Sequence, residues 1–142
     1  MKNIMEIKFK AIRENVSFAR NVVASFILPL NPSLDQLSDI KTAVTEAITN
    51  VVVHAYPEKT GYVHMKIVMS DTNLQISISD NGVGIKDIDR ARTPFFTTKP
   101  DEERSGMGFT VMESFMDRLD VKSDKDGVTV TMQKEIDNKA VV

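Results

Sequence analysis

The sequence predicts an α+β fold, a two-layer α/β sandwich in which a mostly antiparallel mixed sheet carries helices on one face. Segments with apolar residues at every second position occur in pairs, and segments with apolar residues three or four apart lie between them. The regular strand and helix alternation of a doubly wound parallel sheet is absent. With 142 residues, of which 42% are hydrophobic, we expect a single domain over residues 1–136 and a flexible tail over 137–142.

The first half of the chain predicts one strand followed by two helices. Residues 5–12 alternate as a strand. From Glu14 the apolar residues recur at helical spacing, until Pro29 ends this first helix. Ser33 is the expected N-cap of a second helix, whose apolar stripe continues towards Ala55.

The second half of the chain predicts two hairpins, a long loop and a helix. Its four expected strands cover residues 61–69, 74–79, 119–122 and 128–136. Residues 93–105 contain two prolines and no periodicity, which favours a mobile lid or binding loop, with a disordered surface loop as the alternative. The apolar spacing predicts a helix over residues 109–119.

The composition limits the classes of partner. The formal net charge is -2 and the chain has no extended basic run, so we expect no direct nucleic-acid partner. The absence of cysteine excludes disulfides, thiolate zinc sites and cysteine nucleophiles. No apolar run approaches the ~20 residues of a membrane span, and we expect a cytoplasmic protein without membrane contact.

The stretch 80–85 (DNGVGI) directly follows one of the predicted strands. Asp80 offers a carboxylate acceptor at the strand end, and the glycines Gly82 and Gly84 allow a ligand to approach the main chain. The same residues are also typical of a tight turn. Taken alone, the stretch fits either a turn or one end of a site for a small polar ligand.

Two polar positions in the second predicted helix lie on one face. Glu46 and Asn50 are four residues apart, so their side chains are neighbours along the helix. A carboxylate and an amide oxygen can serve Mg²⁺, which needs only one or two protein ligands when phosphate oxygens complete its shell. The alternative is an ordinary solvated polar stripe.

A second glycine pair, Gly106 and Gly108, opens the helix predicted after the long loop. The free backbone N–H groups of a helix N-terminus form a natural phosphate site, and Lys99 and Arg104 add positive charge nearby. The alternative is a flexible hinge. The phosphate-loop signature and the signatures of eukaryotic-type protein kinases are absent.

Three segments, in order, resemble the N, G1 and G2 boxes of the ATPase and kinase superfamily of gyrase, Hsp90, histidine kinases and MutL. They are residues 46–50 (EAITN), 80–85 (DNGVGI) and 104–109 (RSGMGF). Within that superfamily, further segments resemble the anti-sigma factor serine kinases: residues 17–20 (SFAR), 53–56 (VHAY) and 96–100 (FTTKP). The resemblance extends over residues 7–136 and implies the ATP-binding sandwich of that superfamily.

The resemblance implies ATP or ADP with Mg²⁺ as cofactors. It assigns Asp80 to the adenine amino group, with Gly82 and Gly84 leaving room for the base, and Thr129 to an adenine contact through water. Val128 departs from the family pattern, in which a second Thr is common, and leaves only fine adenine contacts in doubt.

At the phosphate end, the resemblance makes Asn50 the Mg²⁺ ligand and Glu46 the general base. Arg104 would stabilise charge near the γ-phosphate. The remaining nucleotide contacts implied by the resemblance are Lys99, Ser105, Gly106, Met107 and Gly108.

The implied activity is that of a protein serine/threonine kinase that is also an anti-sigma factor in sporulation. Such a protein inhibits a sigma factor of the sigma F type and phosphorylates an anti-anti-sigma protein on serine, as a homodimer. Arg20 resembles a partner-binding position, although it also fits an ordinary exposed helix residue. Two alternatives are a nucleotide-gated binding module without phosphotransfer and the ATP-binding domain of a histidine-kinase-like protein.

Overall fold

A computed structural model of the chain describes residues 2–93 and 108–136. In this part, the strands are β1 (Lys2–Lys10), β2 (Tyr62–Ser70), β3 (Asn73–Ser79), β4 (Arg118–Asp124) and β5 (Gly127–Glu135). The α-helices are α1 (Glu14–Phe26), α2 (Leu34–Asn50), α3 (Ile88–Ala91) and α4 (Gly108–Phe115). A 3₁₀ turn (Leu28–Leu30) follows α1, and a π-helical turn (Val51–Ala55) follows α2.

The strands form one sheet in the order β1-β2-β3-β5-β4. Each of its four strand pairs is antiparallel, so the part of the sheet that the structure describes contains no parallel pair. The predicted α+β sandwich with a mostly antiparallel sheet is therefore confirmed.

One face of the sheet packs against the helices. Strand β2 shows the alternation that causes this, since Val63 and Met65 are fully buried while Tyr62 and His64 face solvent on the other side. Helix α2 lies between α1 and α4 and contributes five buried residues to the core. This arrangement places the last turn of α2 beside the first turn of α4.

The start of α2 matches the prediction, and its end does not. Ser33 caps the helix, because its Oγ accepts from the N–H of Gln36 at 3.1 Å while its own N–H donates to Gln36 Oε1 at 2.9 Å. Instead of one regular helix to Ala55, the α-helix ends at Asn50 and continues as the π-helical turn. Such turns are rare and occur frequently at functional sites.

The helix predicted over residues 109–119 is shorter in the structure. Met116 still donates its N–H to the Met112 carbonyl, at 3.0 Å, but the N–H of Asp117 donates to the carbonyl of Gln133, at 2.9 Å. Pairing with β5 thus ends the helix, and Leu119 lies on β4.

The predicted long loop lies almost wholly outside the described residues, as does the predicted tail. Among the described residues, no helix combines the length and the hydropathy that crossing a bilayer requires.

Candidate functional site

A cavity of about 500 Å³ lies between the C-terminal part of α2, the turn after β3, and the start of α4. Its walls include Asn50 from α2, Asp80 and Gly84 from the turn, Gly108 from α4 and Val128 from β5. The volume is within the range of small-molecule sites, and a mainly apolar wall with few polar groups is typical of them. The structure thus brings residues of all three sequence motifs to one cavity.

Asp80 is the one charged residue among the described positions that is buried, with 8% of its surface exposed. Its Oδ1 accepts from the N–H of Gly82 at 2.9 Å and from the N–H of Val128 at 3.3 Å. Burial raises the pKa of Asp80 above its ordinary value, and these two backbone hydrogen bonds lower it in part. The carboxylate is therefore held in a fixed position in the wall of the cavity.

Gly82 is needed for a contact that the sequence did not reveal. A methyl group at this position would lie 2.1 Å from the carbonyl oxygen of Ala55, and the next N–H, of Val83, donates to that same oxygen at 3.0 Å. The missing side chain at Gly82 thus makes room for the π-helical turn. This contact differs from the expected role, in which Gly82 leaves room for the base.

The other side of the turn packs against the β4–β5 hairpin. Gly84 has a φ of 77°, which favours glycine, and a methyl group there would lie 2.0 Å from the carbonyl oxygen of Asp124. The N–H of Ile85 donates to Ser123 Oγ at 2.5 Å. A methyl group on Gly127, which has a φ of 135°, would likewise lie 2.0 Å from the carbonyl oxygen of Asp80.

Gly127 packs against the backbone of Asp80, although the sequence indicated only that it lies in a hairpin turn. Its role depends on which strand β5 pairs with, and this pairing is not a local property of the sequence. The sequence offered one indication of this contact, which was the position of Gly127 in the predicted turn before the last strand.

At the opposite end of the cavity, α4 begins directly against the polar pair of α2. A methyl group on Gly108 would lie 3.2 Å from both Nδ2 and Oδ1 of Asn50, and 3.5 Å from Oε2 of Glu46. The absence of a side chain therefore allows the first turn of α4 to approach both side chains.

The chemistry of this end fits a divalent cation that also binds phosphate. In the described ranges, no three His, Asp or Glu side chains form a cluster that could hold a metal. Asn50 and Glu46 nevertheless offer oxygen atoms beside a helix start, and Mg²⁺ is usually held by one or two protein ligands together with substrate phosphates.

Thr129 is not brought to the cavity. Its neighbours Val128 and Val130 both line the cavity, and side chains alternate along a strand, so Thr129 belongs to the opposite face of β5. This placement differs from the expected contact between Thr129 and adenine.

Arg20 lies on α1, outside the cavity, and is partly buried. Its Nη2 donates to Ser17 Oγ at 3.2 Å. The residue borders a shallow groove between α1 and α2 that extends to Glu46. The other predicted site residues lie outside the described part of the chain: Lys99, Arg104, Ser105, Gly106 and Met107.

Comparison with known proteins identifies the family. Residues 9–134 match the model of the histidine kinase-like ATPase domain. The chain is 49% identical over 136 residues to the anti-sigma F factor of Clostridium acetobutylicum and covers 95% of each protein. This chain belongs to the anti-sigma F factor family of histidine kinase-like ATPases. Another member, from Bacillus subtilis, is 47% identical over 138 residues, with 96% of this chain and 94% of that protein covered.

Solved structures of other proteins share the fold of this chain. A crystal structure of RsbU and RsbW domains from Mycobacterium tuberculosis superposes with a TM-score of 0.68 at 16% identity, covering 94% of this chain and 32% of that one. The catalytic domain of histidine kinase ThkA superposes with a TM-score of 0.58 at 17% identity, covering 93% and 96%. At these identities the likeness shows a shared fold.

Proposed function

We propose that this chain binds Mg·ATP in the cavity and transfers the γ-phosphoryl group to a serine of an anti-anti-sigma protein. We propose further that it holds a sigma factor of the sigma F type inactive and acts as a homodimer. One observation carries the enzymatic part: a single cavity is lined by the buried carboxylate of Asp80 and by Asn50 and Gly108, and Glu46 lies directly beside Gly108. Family membership supports the nucleotide and the sigma factor as ligands.

The Asp80 end suits the adenine base. Both backbone donors bond Oδ1, and we assign Oδ2 to accept a hydrogen bond from the amino group of adenine. The apolar lining of the cavity includes Ile78 and Val130, whose side chains can pack against the base. A guanine base carries an oxygen where adenine has its amino group, and that oxygen would repel the carboxylate.

The opposite end suits the phosphates and the acceptor hydroxyl. When bound, Mg·ATP supplies the transferable phosphoryl group, and the amide oxygen of Asn50 is the protein ligand to the cation. Glu46 accepts the proton of the serine hydroxyl as the serine Oγ–phosphorus bond forms and the bond to the β-phosphate oxygen breaks. Arg104, Lys99 and residues 105–107 keep their predicted roles at the phosphates.

Glu46 also supports a location for the protein substrate. It borders both α4, through Gly108, and the shallow groove between α1 and α2 that includes Arg20. A base that lies between a nucleotide cavity and an open groove can receive a hydroxyl from another protein. We therefore assign the groove, with Arg20, to partner binding.

The proposal is tested by phosphate transfer from ATP labelled at its γ-phosphate to a purified anti-anti-sigma protein. Removing a general base costs about 10²–10⁴ in rate, so Glu46→Gln should label the partner at least a hundredfold more slowly than the original protein. Glu58→Gln is the matched control, because Glu58 is exposed in the segment between the π-helical turn and β2. It should label the partner at the original rate.

Two results would count against the proposal. Equal labelling rates for Glu46→Gln and the original protein would remove Glu46 as the base. Saturable ATP binding without any labelling by the original protein would instead favour a nucleotide-gated binding module. Capture of a sigma factor by the immobilised protein with ADP or ATP added tests the anti-sigma part separately.

A further inference from the structure

Tyr56 connects the π-helical turn to the turn that carries Asp80, without lining the cavity itself. It directly follows Ala55, and its hydroxyl accepts from the backbone N–H of Asn81 at 3.0 Å. The same hydroxyl donates to the carbonyl oxygen of Tyr62, at the start of β2, at 2.7 Å. A phenol can donate one hydrogen bond and accept another, so both contacts can exist together.

The ring of Tyr56 is held in place by a glycine. A methyl group on Gly61 would lie 2.2 Å from two carbon atoms of the ring, so the ring lies directly on the backbone of Gly61. The carbonyl of Gly61 in turn accepts from the N–H of Ala11, after β1, at 2.8 Å. The hydroxyl is thus positioned by residues at the start of β2 and directly after β1.

Residues 55 and 56 together hold the backbone on both sides of Gly82. The N–H of Asn81 bonds the Tyr56 hydroxyl, and the N–H of Val83 bonds the Ala55 carbonyl at 3.0 Å. Between them, the N–H of Gly82 bonds Oδ1 of Asp80 at 2.9 Å. The orientation of the Asp80 carboxylate therefore depends on where residues 81–83 are held.

We propose that Tyr56 is a positioning residue that orients the Asp80 carboxylate towards the amino group of the base, and so contributes to the preference for adenine. This inference rests on the proposed function, because it assumes that Asp80 binds adenine. Tyr56 acts through the backbone of Asn81 and touches no nucleotide atom.

The test compares ADP with inosine diphosphate, which carries an oxygen in place of the amino group. A neutral hydrogen bond is worth about three- to tenfold in an equilibrium constant, so Tyr56→Phe should weaken ADP binding by about that factor. Binding of inosine diphosphate should change less, and the preference for adenine should fall. Amide hydrogen exchange at Asn81, measured without nucleotide, should become faster.

Tyr62→Phe is the matched control, since Tyr62 is the other tyrosine of the chain. Its ring is half exposed under the ammonium group of Lys8, which lies 4.7 Å from the ring centre, and its bond with Tyr56 uses only its backbone carbonyl. Tyr62→Phe should keep both nucleotide affinities and the exchange rate of Asn81.

The outcomes separate this inference from the proposed function. If the original protein fails to bind ADP saturably, both are overturned. If it binds ADP and Tyr56→Phe keeps the same affinity and preference, only the positioning role is overturned. Equal weakening for both nucleotides would also overturn it, because a purely structural defect would not distinguish the bases.

Discussion

Replacing Gly82 with alanine would test whether the contact between the π-helical turn and the turn after β3 holds the site together. The added methyl group would lie 2.1 Å from the carbonyl oxygen of Ala55, 2.6 Å from its carbon and 2.7 Å from its side chain. Favourable carbon contacts lie at about 3.5–4.0 Å, so the two backbone segments would have to separate by about 1 Å.

The expected cost follows from that separation. Overpacking of this kind costs about 1–3 kcal/mol, and losing the hydrogen bond from Val83 to Ala55 adds about 0.5–1.5 kcal/mol. We therefore expect Gly82→Ala to lower the free energy of unfolding by about 2–4 kcal/mol.

Urea unfolding followed by circular dichroism measures this change, and calorimetric titration with ADP measures the effect on the cavity. Gly108→Ala is the comparison for stability, because its methyl group would meet only side-chain atoms, the nearest at 3.2 Å, and alanine suits a helix better than glycine. Its unfolding free energy should stay within about 1 kcal/mol of the original. The reasoning is refuted if Gly82→Ala unfolds at the same urea concentration as the original protein and binds ADP equally well.

Two further perturbations address charge. Burial raises the pKa of Asp80 above its ordinary value of 3.8, so ionisation of this carboxyl group opposes folding. The free energy of unfolding, relative to that of Asp80→Asn, should therefore fall as the pH rises through the raised pKa. Urea unfolding of both proteins across acidic pH checks this, and parallel plots of unfolding free energy against pH would contradict it. Asp80→Asn should also lose ADP binding. The ion pair between Arg92 Nε and Glu113 Oε1, at 2.8 Å, joins the end of α3 to α4 at the surface. A double-mutant cycle with alanine should give a coupling of about 0.2–1 kcal/mol that shrinks in ~1 M salt, and a larger, salt-independent coupling would contradict a surface pair.

Much of this molecule could be predicted from local patterns in the sequence. Alternating and helical periodicity identified the strands and the helices α1 and α2, because each pattern records which side of an element is buried. The family motifs indicated that Asn50, Asp80 and Gly108 belong to one site, and the structure places them on one cavity.

The end of α4 and the π-helical turn could not be predicted in this way. Helical periodicity continues past Phe115, but the carbonyl of Gln133 on a distant strand captures the N–H of Asp117 and ends the helix. Likewise, the spacing of apolar residues after Asn50 fits an ordinary α-helix. The hydrogen bond from the Val83 N–H to the Ala55 carbonyl, at the end of the π-helical turn, joins residues far apart in the chain and is visible only in the structure.

The sequence by itself determined the fold class and the family, and it indicated that Asn50, Asp80 and Gly108 belong to one site. Only the tertiary structure decided why Gly82 is glycine, that Val128 and Val130 rather than Thr129 face the cavity, and that Tyr56 holds Asn81. The physical reason is that periodicity reports burial within one element, whereas close approach between backbones depends on residues far apart in the chain.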